Sequence, residues 1–320
     1  MIARVLTLIS CWLAVTAYAA EPYPIRPLRI IVPYPPGATT DFVARLMAQR
    51  LNDALAQPVI VENRGGAGGI IAAELAARAA PDGYTLFFGT PAALCISPAV
   101  QAKVPYDTLR DFAPISQLAA LPQILIAAAS FAPNSTAELV QLARSRPGQL
   151  SYASVGIGSP QHLGIELLKA RAGIDMVHVP YKGGAAATTD LIGGRVQVYM
   201  GSIPSLMPHV KSGKLKVLGI ASNARSAVLP NVPTIAEHVP GYEFVGTWYG
   251  LLTQSRVNPT IVTRLNAAIV AALQMPEVRQ QLTQQGADPR PTTIEEFAAF
   301  VRKDCPSWAR AVKAANLRPE

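Results

Sequence analysis

Leu28-Arg29-Ile30-Ile31-Val32-Pro33-Tyr34-Pro35-Pro36-Gly37-Ala38-Thr39-Thr40-Asp41 is the stretch that decides the fold. Its first five residues are a β-rich run, which Pro33 ends. Thr39, Thr40 and Asp41 then offer capping side chains to a helix whose apolar positions Val43, Leu46, Met47, Leu51 and Leu55 recur at helical spacing. The pattern continues outward. Pro58 to Val61 reads as a strand, the glycine loop Arg64 to Gly69 leads to an alanine-rich helix from Ile70 to Ala79, and Pro81-Asp82-Gly83 turns into the strand Tyr84 to Phe88. Gly89-Thr90-Pro91 opens another helix. Strands alternating with helices through short loops predict a parallel sheet covered on both faces.

A second series follows Leu121-Pro122 with almost no linker. Gln123 to Ala128, Leu150 to Ala153, Asp175 to Val179, Val196 to Met200 and Leu215 to Ala221 read as strands. Helices begin near Ser135, Pro160, Gly184 and Pro204. After Phe244 to Leu252 the chain is mostly helical from about Pro259, with an amphipathic stretch over Ile294 to Ala315. If that tail returns to the first unit, domain 1 is residues 20–120 plus 245–320 and domain 2 is residues 121–244. Two crossings between α/β domains predict a hinged clam-shell, with a cleft between the carboxyl ends of two sheets.

Ligands of open parallel sheets sit beyond the carboxyl ends of strands, where unpaired N–H groups and positive helix ends attract anions without help from lysine or arginine. Five strand ends here combine glycine with Ser, Thr or Tyr hydroxyls: Pro36 to Asp41, Gly89-Thr90, Ser154 to Ser159, Tyr181 to Gly184, and Gly201-Ser202. Asp41 is expected to orient its own loop, because a carboxylate repels an anion. Lys182 reads as a solvated surface lysine. The glycine loop Arg64 to Gly69 lacks the dinucleotide register, and Val155 to Ser159 is not a nucleophile elbow. Ser159 and His162 have i, i+3 spacing, with Glu166 one turn on, so a serine hydrolase is the enzyme alternative. His178, His209 and His238 read as ordinary structural or surface residues.

Residues 1–19 have one positive charge, Arg4, an apolar run from Val5 to Val15, and Ala17-Tyr18-Ala19 before the expected cleavage point. This is a signal peptide reading; a lipoprotein reading at Cys11 conflicts with an apolar run that continues past it. No later segment has the ~18 apolar residues of a membrane span. The formal charge of +8 comes from dispersed residues and aromatics are only 7%, which argues against nucleic acid as a partner. Cys95 and Cys305 remain after cleavage, and two separate buried thiols are expected over a disulfide. Four histidines without metal-ligand spacing give no metal site, and no cofactor is indicated.

The order of motifs resembles the Bug (Bordetella uptake gene) family, the extracytoplasmic solute receptors of tripartite tricarboxylate transporter type. The residues that carry the resemblance include Pro33-Tyr34-Pro35-Pro36-Gly37 with Asp41, and Val61-Glu62-Asn63-Arg64 with Gly66-Ala67-Gly68-Gly69. Ala80 to Leu86, Pro105-Tyr106-Asp107, Asp111 to Pro114, Ser154 to Ser159 with His162-Leu163, Val179 to Gly183, Leu191 to Gly194 and Val232-Pro233-Thr234 complete the set. The resemblance implies a periplasmic-binding-protein (Venus flytrap) fold that encloses a small carboxylate. By position it assigns the ligand to Tyr34, Pro36, Gly37, Ala38, Thr39, Thr40 and Asp41, and to Ser154, Gly156, Gly158, Ser159, with His162 and Tyr181 in support. Thr90 and Ser202 come from the loop survey. Ala38 stands where the family often has a second glycine, and Ile70 where it often has a polar residue. The expected protein is a periplasmic monomer without catalytic residues, which delivers its ligand to the membrane permease subunits of a tripartite tricarboxylate-type transporter. The alternative within the same fold is a ligand-dependent sensor partner of a receptor kinase.

Overall fold

The computed structural model describes residues 23–317 except 38, 102, 182, 223, 227, 245 and 316. The signal peptide reading, Ala38 and Lys182 therefore lie outside the described residues. The chain runs β1 (Leu28–Val32), α1 (Thr39–Leu55), β2 (Val59–Asn63), α2 (Ile70–Ala77) and β3 (Thr85–Gly89). A π-helical turn (Ala92–Ile96) then leads into α3 (Ser97–Val100), α4 (Thr108–Asp111), β4 (Phe112–Leu121) and β5 (Gln123–Ala128). Next come α5 (Thr136–Ser145), β6 (Ser151–Ser154), α6 (Pro160–Ala172), β7 (Val177–Pro180), α7 (Gly184–Ile192), β8 (Val198–Ser202), α8 (Ile203–Lys211) and β9 (Leu215–Ala221). The last elements are α9 (Ile235–His238), β10 (Thr247–Gln254), α10 (Pro259–Gln274), α11 (Pro276–Gln284), β11 (Asp288–Pro289) and α12 (Ile294–Ala314).

Two sheets result, in the orders β11-β4-β10-β3-β1-β2 and β7-β6-β8-β5-β9. The expectation of parallel sheets needs correction. β1 pairs in parallel with β2 and β3, and β6 with β7 and β8, but β10 is antiparallel to both its main neighbours and so is β5. The cause is the crossing itself. β5 and β10 each enter their sheet from the hinge, where their neighbours in the sheet end, so they must run the opposite way. β11 is antiparallel to β4 at the sheet edge.

Side chains alternate between the faces of each strand, and the cores divide accordingly. Ile30, Leu86 and Phe88 pack beneath α1 and α10, whereas Ile31 and Phe87 face the opposite core. That second core also holds Leu125, Tyr152 and Met200 of the other sheet, together with Phe297, Val301 and Trp308 of α12. Helix α12 packs on β4 and the π-helical turn on one side and on α6 on the other, so it joins the two units. Ile124, Ile126, Leu191 and Ile203 form a third core on the outer face of the second sheet.

Cys95 and Cys305 are joined by a disulfide, with Cα atoms 4.6 Å apart. Separate thiols were the wrong expectation, because the return of α12 to the π-helical turn brings together two residues that are remote in sequence. No helix among the described residues is long and apolar enough to cross a membrane.

Candidate functional site

The first loop is held from inside. Pro33 ends β1, and the chain reaches α1 through Tyr34 to Gly37. Asp41, buried in the first turn of α1, accepts hydrogen bonds at Oδ2 from the Gly37 N–H (3.1 Å) and Arg45 Nε (2.9 Å), and at Oδ1 from Asn63 Nδ2 (3.0 Å). The same Asn63 amide donates to the Tyr34 carbonyl at 3.1 Å, tying the end of β2 to this loop. The Arg45 guanidinium, assisted by the Gly37 and Asn63 donors, holds the Asp41 carboxyl below its ordinary range. Asp41 thus orients its own loop, as the repulsion argument required. Tyr34 is paired with the buried Thr90 at the end of the neighbouring β3, and burial pushes its phenol upward. Thr39 is half-buried. The Thr40 hydroxyl is buried without a partner. Pro36 and Gly37 are exposed, and a recess of about 390 Å³ borders Gly37, Asp41 and Arg45.

The second loop leaves β6 at Ser154. Its Oγ donates to the Gly156 carbonyl and accepts from the Gly156 N–H, both at 3.1 Å, and lies 2.7 Å from His178 Nε2. Gly156 and Gly158 have φ of +129° and +73°, which side chains disfavour, so both positions need glycine. Ser159 caps α6, accepting from the His162 N–H at 3.3 Å while its hydroxyl donates to the Gly156 carbonyl at 2.7 Å. His162 Nδ1 accepts from the Gly158 N–H at 3.1 Å. Ile157 stands at the loop apex, 71% exposed.

These bonds leave no hydrolytic relay. Ser159 gives its proton to a backbone carbonyl, His162 spends Nδ1 on Gly158, and Glu166 is engaged by Tyr152 and by Lys169 at 2.7 Å. His178 supports this loop structurally. Its ring stacks on His162 with centroids 4.0 Å apart and on Tyr152 at 4.9 Å. Burial is the main cause that lowers both histidines, and His162 falls to about 4. The remaining sequence candidates sit at the edges of this group. Tyr181 gives its N–H to the Ser154 carbonyl and its hydroxyl to Asp190, both at 2.9 Å. Ser202 Oγ lies 2.7 Å from Ser205 Oγ at the start of α8.

Strand register relates the loops. Thr247 pairs with Leu121, Gly250 with Gly89, and Gln123 with both Ser202 and Ala221. Both crossings between the sheets therefore lie at the carboxyl ends of β3 and β8, the ends from which the loops emerge. Gln123, which the sequence reading did not single out, sits at this hinge. It is buried, its Nε2 donates to Thr247 Oγ1 at 3.3 Å, and its Oε1 has no partner. A second cavity of about 460 Å³ opens elsewhere, between Pro204 and Met207 of α8 and Thr283, Gln284 and Gly286 at the end of α11, with none of the sequence candidates in its wall. Among the described residues no group of three or more His, Cys, Asp or Glu is placed to hold a metal ion.

Residues 43–317 match the family model described as tripartite tricarboxylate transporter family receptor. The protein BugT of Bordetella pertussis is 36% identical over 322 residues, covering 98% of each chain. Among solved structures, Rpa4515 of R. palustris with adipate is 34% identical with a TM-score of 0.76, over 93% of this chain and 100% of that one. MatC of Rhodopseudomonas palustris with bound malate is 35% identical with a TM-score of 0.72, over 91% and 100%. A TctC solute-binding protein from Polaromonas is 28% identical with a TM-score of 0.83, over 91% and 99%. With the sheet order and the two strand-end loops, these matches mean that the chain belongs to the tripartite tricarboxylate transporter receptor family, a family of solute-binding receptors.

Proposed function

We propose that this receptor is exported to the periplasm by cleavage after Ala19, captures a small organic carboxylate in the cleft between its two units, and presents it to the membrane subunits of a tripartite transporter. One observation carries the reading. The loops Tyr34 to Asp41 and Ser154 to Ser159 leave the hinge-facing ends of two different sheets, while two arginines of the first sheet beside the first loop are paired with carboxylates, Arg45 with Asp41 and Arg64 with Glu62. Anion recognition then falls to the loop N–H groups that these internal bonds leave free and to the hydroxyls of Thr39, Thr40, Thr90 and Ser202, with Ser154 and Ser159 shaping the second loop, in keeping with helix-terminus physics. The relatives with adipate and malate supply the chemical class. The working division is residues 20–120 plus 245–320 against residues 121–244, with the monomer as the functional unit. Closure over the ligand selects the state that the transporter subunits read.

Thermal denaturation against a panel of mono-, di- and tricarboxylates tests this. A binding carboxylate at 100 times its Kd is expected to stabilise the protein by about 2.7 kcal/mol. Absence of a shift with every carboxylate would defeat the ligand class.

A further inference from the structure

Three rings lie nearly parallel beneath the 154–159 loop. Tyr152 and His178 are register partners on the adjacent parallel strands β6 and β7, and His162 of α6 stacks on His178 with 18° between the ring planes. Each histidine holds the loop through one nitrogen. His162 Nδ1 accepts the Gly158 N–H, while His178 Nε2 meets Ser154 Oγ, which itself accepts the Gly156 N–H. The two bonds hold both glycines whose positive φ shapes the loop.

We propose that His162 is a positioning residue that latches the ligand loop at neutral pH and releases it in acid, so that solute affinity falls as the surroundings acidify, while His178, whose Nε2 donates to Ser154 Oγ in either charge state, keeps its bond. The proposal rests on the assignment of Ser154 to Ser159 to the ligand. An Nδ1 that takes up a proton changes from acceptor to donor and then faces the Gly158 N–H donor-to-donor. A charge on His162 is also stacked 4.0 Å from a second titratable ring.

The charged groups around the pair are few. Glu166 of α6 favours protonation, and Lys169, which binds Glu166 at 2.7 Å and approaches Asp175 at 3.9 Å, opposes it. From α12, packed on α6, Asp304 has its carboxylate engaged by the indoles of Trp248 and Trp308. β8 contributes the apolar Val198 and Met200. Burial and the second ring keep the latched His162 at about 4, and a release that lets water reach the ring brings it up toward its ordinary 6.5, which sets the upper limit of the effect. For a base lowered in the latched state, the latch holds fully above 6.5 and weakens as pH falls toward 4. Linkage gives a rise of up to about 30-fold in the released-to-latched ratio between pH 7.5 and 5.

Amide hydrogen exchange of residues 156–158 in the ligand-free protein, expressed as protection factors, reads the latch without any ligand. Wild type is expected to lose up to about 30-fold protection between pH 7.5 and 5. His162→Asn keeps a side-chain oxygen for the Gly158 N–H but does not titrate, so its protection should stay level. His162→Phe keeps a ring without an acceptor and should exchange fast at both pH values; if it does not fold, wild type and His162→Asn still decide. Calorimetry with malate and adipate at both pH values should show wild type weakening more than His162→Asn. If neither binds at pH 7.5, calorimetry uses the acid that the thermal panel selects; if that panel selects none, the ligand class fails while the exchange result still judges the latch. Level protection in wild type, or an equal loss in His162→Asn, overturns the proposal.

Discussion

Asp304 carries its carboxyl where water does not reach. It is 4% exposed, its Oδ2 accepts the indole N–H groups of Trp248 (2.6 Å) and Trp308 (2.8 Å), and its Oδ1 has no partner. Desolvation outweighs the two indole bonds and pushes the group up to about 6. The folded state thus holds the proton more tightly than the unfolded chain. This contribution to stability is fully present below about pH 4 and is lost as pH rises through 6, a swing on the order of 2–3 kcal/mol. In Asp304→Asn that swing should vanish, so the difference in urea stability, wild type minus variant, is expected to fall between pH 4 and 7. A constant difference would place the titration elsewhere. Asp304→Leu should cost about 2–5 kcal/mol, because it leaves two buried indole donors without an acceptor. At this scale sequence spacing pointed to Asp41 orienting its own loop and to a contact between Ser159 and His162, because both close within four residues, but not to the Gly37 and His162 N–H groups that these side chains bind. It could not foretell His178 or Gln123, whose partners depend on strand register and on the crossing between sheets.

The longest helix shows what an element adds. α12 is tied to the π-helical turn by Cys95–Cys305, while its faces pack on β4 and α6. The double variant Cys95→Ala/Cys305→Ala should lose about 2–5 kcal/mol in denaturant titrations. Addition of a reductant should bring wild type down to the same level. Equal stability of variant and oxidised wild type would mean that packing alone fixes α12. Many elements were legible: the strands Leu28–Val32, Gln123–Ala128 and Leu215–Ala221 were read with the bounds observed. β4 was not. Pro114 demotes a run to a loop in any local reading, and Ser116 and Gln117 spoil its apolar pattern. In the sheet Pro114 pairs with Leu252 at a register shift, and the Ser116 hydroxyl donates to the Thr292 carbonyl, so tertiary partners satisfy what the local sequence left unsettled.

Across the whole molecule, two α/β units were legible from the repeated strand–loop–helix rhythm, but the reversed strands were not, because strand direction is a non-local property. The two units also touch away from the loops. A Cβ placed on Gly286, between α11 and β11, would stand 1.8 Å from Cγ of Pro204 in α8. Gly286 has φ of +68°, so Gly286→Ala carries both a clash and backbone strain. The variant is expected to separate the units and raise the radius of gyration in small-angle scattering. Adding Pro204→Ala should restore the radius while leaving a stability loss of about 1–3 kcal/mol from the strain. An unchanged radius in the single variant would mean that the contact does not set the spacing of the units. The order of the first sheet has a consequence for how the chain is made. β10 lies between β3 and β4, yet a ribosome delivers it more than a hundred residues after either. From the completion of β4 until β10 is made, the nascent chain therefore presents two raw strand edges with unpaired N–H and C=O groups, an invitation to wrong pairing.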